Sequence, residues 1–311
     1  MKVIIAGATG AIGTPLAARL IADGHEVAGL TRTQRGAARL TAVGVQPIVA
    51  DAMDRSALLR ALDGHTADAV IHELTALAKA PLRHSHMTET NRLRTDGTRN
   101  LLEAARVVGA RRFVTQSIVL GYGYTDHGSK TLTEDDPFGR EQGPCAPHLA
   151  AMAENERLAF TAAGIEGVAL RYGMFYGRDM SMIVEMLRKR RMPVVAGKDR
   201  PLSWIHLDDA AAATAAALTL GEAGTAYNIV DDEPCSWARM MTATAEVFGA
   251  PAPRALPGWV VRLAAPYAAA LTVQTAMRVS NAKAKEALGW KPAYPTYQEG
   301  LRAPTTEPAP H

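Results

Sequence analysis

The 311-residue chain has almost no cysteine, no surplus charge of either sign and no uninterrupted hydrophobic span. Cys145 and Cys235 are its only cysteines, and their spacing makes neither a metal motif nor a disulfide framework. A reducing, cytoplasmic setting is the expectation. Lys and Arg number 34 against 31 Asp and Glu, a net charge of +3. That balance argues against a dedicated nucleic-acid binder, which would carry a concentrated basic face. The one dense basic run, Arg188 to Arg191, reads either as a solvated helix end or as an anion contact on the substrate side. The most apolar long window, 255–277, is broken by Pro257, Arg262 and Pro266, so no membrane span is expected. The chain enters MKVIIAGATG without a charged leader and cleavage site, and no targeting segment is expected. No internal repeat is visible. The last stretch, APTTEPAPH, is Pro-rich, and disorder is expected over 303–311.

What is present is apolar: 48% of residues, enough for one large core or two coupled ones. Lys2 to Ala6 is a continuous apolar run, the mark of a strand buried on both faces. Gly7-Ala8-Thr9-Gly10-Ala11-Ile12-Gly13 follows, and then Ile12, Leu16 and Leu20 recur at helical spacing. A strand, a glycine turn and a helix together make an anion site. The glycines let the backbone approach a pyrophosphate, and the helix N-terminus supplies free N–H groups and partial positive charge. Candidate cofactor contacts are therefore Gly7, Thr9, Gly10, Ala11, Ile12 and Gly13. A second strand, Glu26 to Leu30, ends in Thr31-Arg32-Thr33-Gln34-Arg35 with no carboxylate to hold a ribose 2′-hydroxyl. Arg32 and Arg35, helped by Thr31, suit a 2′-phosphate instead, so NADP(H) is favoured over NAD(H).

The sequence resembles the extended or atypical short-chain dehydrogenase/reductases, the NAD-dependent epimerase/dehydratase group. GATGAIG looks like that family's cofactor turn. VADAMD, with Asp51 and Ala52, looks like its adenine-contacting segment. AVIHELTA (69–76) resembles its fourth strand, which would bring Leu74 and Thr75 to the cofactor ribose. GTRNLLEAARVVGARRFVTQS (97–117) resembles its long fourth helix and fifth strand, with Gln116 near the cofactor. VALRYGMFYG (168–177), WIHLDDAAAA (204–213) and SNAKAKEALGWKPAYP (280–295) resemble its later landmarks. The resemblance implies an α/β fold: a doubly wound parallel Rossmann sheet over residues 1–171, a smaller C-terminal substrate domain over 172–302, and residues 204–220 returning to the first domain. The apolar runs at 2–6, 26–30, 46–49, 69–72, 112–116 and 167–171 alternate with helical patterns, which fits βαβ units. It also implies a small-molecule substrate and a possible homodimer.

The resemblance stops at the catalytic set. The family's tyrosine, with a lysine one helical turn later, falls at His148 and Met152, and none of the eight tyrosines here has a lysine four residues on. The family's serine position falls at Ile118, with Ser117 one residue away; its asparagine position is Arg94. Replacement proton donors are His148, whose imidazole titrates near neutrality, and Tyr122, Tyr124 and Tyr172; Ser117 would steady a substrate oxygen. Arg92 and Arg94 could bind an anionic substrate group or simply sit on a helix surface. His127 is a loop candidate for substrate contact. His84 and His86 form at most an incomplete metal pair, so no metal is expected. His206 is expected to be structural. The leading reading is an NADP(H)-dependent oxidoreductase acting on a small organic carbonyl or alcohol. A cofactor-bound isomerase, cyclase or dehydratase, and a dinucleotide-sensing regulator, are the alternatives.

Overall fold

A computed structural model describes residues 1–77, 80–139, 143–197 and 199–303. Of the tail expected to be disordered, 303–311, all but residue 303 lies outside them. Seven strands form one parallel sheet: β1 (Lys2–Ala6), β2 (Glu26–Thr31), β3 (Gln46–Val49), β4 (Ala69–His72), β5 (Arg112–Ile118), β6 (Glu166–Tyr172) and β7 (Thr225–Ile229). Their spatial order is β7-β6-β5-β4-β1-β2-β3, so the winding reverses between β1 and β4. Ligand crevices form at such reversals, outside the strand C-termini.

Alternate residues of each strand feed opposite layers. Val3 and Ile5 of β1 pack with Leu16, Ala17 and Leu20 of α1 (Gly13–Ala22) and with Leu40 of α2 (Gln34–Ala42). Ile4 and Ala6 face the other way. They meet Leu58 of α3 (Arg55–Ala61), Leu101 and Ala105 of α4 (Thr98–Val107), and Ala159 of α5 (Ala146–Thr161). Each fully buried leucine contributes about 2 kcal/mol by transfer from water.

Helix α6 (Leu207–Leu220) joins the α1 layer, and its Ala-rich surface lets the helices approach closely. Arg112 of β5 anchors its C-terminus: Nε donates to the Leu218 carbonyl at 3.0 Å, and Nη2 to the carbonyls of Ala217 and Gly221. Strand β7 then pairs with β6 as the sheet edge. The sequence reading placed residues 225–229 in the second unit. The strand is short, and the helix before it shows no polar stripe, so the βαβ rhythm is lost in the sequence although it persists in the fold.

The remaining chain makes short strand pairs, among them Met174–Tyr176 with Trp204–His206 and Asp126–Leu132 with Ala276–Val279. They enclose a separate core of Trp204, Tyr176, Tyr267, Met240, Met241 and Met277.

Candidate functional site

A cleft of ≈ 1230 Å³ runs along the C-terminal ends of the strands and on between the sheet and the second core. Its first half is backbone and arginine. Gly7 has φ +99°, and a Cβ there would lie 2.8 Å from the Glu73 carbonyl group. A Cβ on Gly13 would lie 2.1 Å from the Gly7 oxygen. Only glycine fits either place. The Gly10 N–H donates to the Gly7 carbonyl at 2.8 Å and closes the turn. Helix α1 has no side-chain cap and no acidic residue in its first turn, so its N-terminus is open to an anion. Arg32, Thr33, Arg35 and Arg39 line the wall beyond β2, and Asp51 and Ala52 the wall beyond β3. These groups fit a dinucleotide.

Of the cofactor contacts expected from sequence, Gly7, Thr9, Gly10, Ala11, Ile12, Thr31, Arg32, Arg35, Asp51, Ala52, Leu74, Thr75 and Gln116 all line this cleft; Gly13 lies beneath the turn. Gln116 is fixed by donating from Nε2 to the Leu74 carbonyl at 2.6 Å. Arg39 and Glu73 were not singled out from sequence. A carboxylate ending the apolar run AVIH was the available signal for Glu73.

The second half of the cleft is apolar. Trp204, Trp237 and seven methionines (Met174, Met180, Met182, Met186, Met192, Met240, Met241) form its wall, an adaptable lining suited to a flat organic molecule.

The expected catalytic residues divide. Ser117 and Tyr172 line the cleft; His148, Tyr122 and Tyr124 are not part of its lining. His148 and Met152 share the buried face of α5, one turn apart. The His148 Nδ1 accepts from Asn91 Nδ2 at 2.9 Å, and its Nε2 meets His84 Nδ1 at 3.0 Å. With Nδ1 accepting, the proton sits on Nε2 and is directed at His84. Tyr124 bonds Tyr267 hydroxyl to hydroxyl at 3.1 Å. Tyr122 donates to Asn228 Oδ1 at 2.8 Å and, with His127, lines a separate pocket of ≈ 400 Å³.

The two expected hydroxyls in the cleft, Ser117 and Tyr172, are engaged as well, and so is that of Tyr176, which lines the cleft and donates to Asp231 Oδ2 at 2.7 Å. Ser117 donates to Glu156 Oε1 at 2.6 Å. That carboxylate also takes two hydrogen bonds from Arg171, at 2.9 and 2.8 Å. Tyr172 bonds Glu73 Oε1 at 3.0 Å and Thr214 at 2.7 Å. Burial pushes the Glu73 carboxyl up to about 8, against the Tyr172 hydrogen bond, so Glu73 carries a proton at neutral pH. His206 accepts from the Asp208 N–H at 3.2 Å and caps α6, as a structural residue should.

Five buried groups give the fold a pH profile. Burial holds His72, His148 and His206 down to about 4 each. It pushes Glu73 and Asp231 up to about 8. The histidine contribution is complete above 6.5 and is lost as pH falls toward 4, about 3 kcal/mol apiece at most. The carboxyl contribution runs oppositely: complete below pH 4, it is lost as pH rises through 8. The opposed slopes cancel at about pH 6. Urea unfolding from pH 5 to 9 should therefore show greatest stability near pH 6; a steady rise to pH 8 would contradict these assignments.

Residues 3–230 match the NAD dependent epimerase/dehydratase family. The chain is 38% identical over 97% of its length, and 99% of the relative's, to a Streptomyces 3-diazoavenalumate denitrifying reductase. It is 30% identical over 81% of its length, and 77% of the relative's, to a 2-alkyl-3-oxoalkanoate reductase of Stenotrophomonas maltophilia. Its fold is similar to that of Thermus thermophilus UDP-glucose 4-epimerase in complex with NAD (TM-score 0.76, 26% identity, 97% of each chain). It is also similar to that of a human epimerase family protein with NADPH (TM-score 0.75, 21% identity, 97% of each chain). The chain belongs to the NAD-dependent epimerase/dehydratase family and is an oxidoreductase working with a nicotinamide dinucleotide.

Proposed function

We propose that the protein is an NADPH-dependent reductase of flat, conjugated small molecules, and that its acceptor is an aryl diazo compound. One observation carries this reading: the serine and tyrosine hydroxyls that line the cleft, Ser117, Tyr172 and Tyr176, are committed to protein acceptors, and His148, Tyr122 and Tyr124 stand outside its lining. A ketone needs a proton on its oxygen as hydride arrives. A cationic aryl diazonium needs none. When bound, the reduced nicotinamide supplies a hydride whose electron pair forms the new C–H bond, while the aryl C–N bond breaks and its pair leaves with N2. The 38% identical relative, named a denitrifying reductase, supports this choice.

The chain's own residues bind and orient. The glycine turn and the α1 N-terminus hold a pyrophosphate. Arg32, Arg35 and Arg39, with no carboxylate among the cleft residues beyond β2, favour the 2′-phosphate of NADPH. Leu74, Thr75 and Gln116 border the sugar. Trp204, Trp237 and the methionines exclude water and press on a planar substrate. Both cysteines are buried and outside any disulfide, which fits the reducing cytoplasm we infer for the protein.

Ketone reduction is the second reading, favoured by Glu73: a protonated carboxyl on the cleft wall whose Oε2 has no partner. The oxoalkanoate reductase relative supports it. A non-redox isomerase or a sensor draws no support from relatives named as reductases.

Turnover with NADPH deuterated on the transferred position separates the two. On 3-diazo-4-hydroxycinnamate, deuterium should appear on the ring with release of N2, at a kcat/KM at least about tenfold above that on a 2-alkyl-3-oxoalkanoate. Alcohol formation from the ketone without denitrification would reverse the order.

A further inference from the structure

Three arginines of the described residues are buried: Arg94, Arg112 and Arg171. Two are satisfied within the protein. Arg112 donates to the carbonyls at the end of α6, and Arg171 to Glu156 and to the Tyr122 hydroxyl. Arg94 differs. It is 5% exposed, on the π-helical turn Leu93–Gly97, and its Nε and Nη1 have no hydrogen-bond partner. Among the described residues no carboxylate forms an ion pair with it, whereas Arg171 has Glu156 at 2.8 Å. Tyr124 and Tyr267 are its electrostatic neighbours, both neutral because burial pushes their hydroxyls up.

Arg94 also lines the cleft, on the substrate side, with Ile118 and Met174. A buried, uncompensated guanidinium destabilises a fold unless something outside the chain answers it. A buried cation without a carboxylate partner, beside apolar side chains such as Ile118 and Met174, matches a monoanion that brings its own apolar body. We propose that Arg94 is the receptor for a carboxylate on the substrate, so that the substrate class is a conjugated or aromatic carboxylic acid. This rests on the reductase reading and narrows it. A charge-assisted hydrogen bond from the Arg94 guanidinium to the carboxylate registers the acid's far end in the cleft.

The test uses the protein saturated with NADPH and titrated calorimetrically with 4-hydroxycinnamate and with its neutral amide. The acid should bind at least tenfold tighter, and Arg94→Met should erase that gap while Arg94→Lys keeps part of it. Arg94→Met should also raise the midpoint of thermal unfolding of the substrate-free protein by about 2–4 °C, because an unanswered buried charge has gone. A merely structural arginine would lower it. Equal binding of acid and amide, binding of neither, or a lowered midpoint for Arg94→Met each overturns the assignment. NADPH titration of the wild-type protein is read separately: its failure removes the reductase reading itself, whereas normal NADPH binding with no acid–amide gap removes only the role of Arg94.

Discussion

Glu156→Ala should lower the thermal midpoint by roughly 5–8 °C, a loss of about 3–5 kcal/mol. Glu156 and Arg171 are both buried, with side chains 4% and 8% exposed. Their pairing spans both carboxylate oxygens, and Ser117 adds a third hydrogen bond. Removing the acid strands a guanidinium between the rings of Tyr122 and Phe138, 5.1 and 4.7 Å from their centroids. Replacing both partners, Glu156→Leu with Arg171→Met, should restore most of the loss, since a well-packed apolar pair lacks the desolvation penalty. Denaturant titration of the wild type, the single variant and the double variant measures this. A single-variant loss under about 1 kcal/mol would mean that solvent reaches the pair. The single variant also frees the Ser117 hydroxyl, so any ketone reduction should rise relative to the wild type.

Arg32→Ala combined with Arg35→Ala should weaken NADPH binding by about 10–100-fold and leave NADH nearly untouched. Each arginine is exposed on the cleft wall, so a charge-assisted bond to a 2′-phosphate there is partly screened; about 1.4 kcal/mol apiece is a tenfold effect each. The preference should shrink as salt rises, because phosphate pairing at an exposed wall is screened over a Debye length of about 8–10 Å. Side-by-side calorimetry with the two nucleotides decides it. Equal affinity in the wild-type protein would remove the 2′-phosphate from the picture.

The glycine turn and the cleft half around it were legible in the sequence because backbone geometry wrote them there. A position such as Gly13, where a Cβ would strike the Gly7 oxygen, leaves no choice of residue, and the order strand, glycine, helix locates the anion site. The substrate half was not legible. Whether His148 faces the cleft depends on which side of α5 packs on the 84–94 segment, and only tertiary contacts with His84 and Asn91 decide that. Arg94 could be read as a surface charge or an anion contact; its enclosure became visible only once Tyr124 and Tyr267 were placed around it. The methionine wall is assembled from residues 174–241, with no periodicity that one segment could display.

The helix Gly258–Ala264 has no buried residue and carries Trp259 and Leu263 in solvent, 63% and 79% exposed, yet Val261 and Ala264 belong to the cleft wall. A segment that buries so little apolar area opens locally for a small fraction of the free energy of global unfolding. The half of the cleft that fits a dinucleotide is, by contrast, bounded by the ends of the central strands. The two halves of the cleft are therefore expected to differ in lifetime as well as in chemistry, the Gly258–Ala264 wall opening far more often than the strand-end wall. The expected consequence is an ordered scheme: substrate and product exchange past Val261, with the nucleotide first on and last off, which product-inhibition kinetics would read.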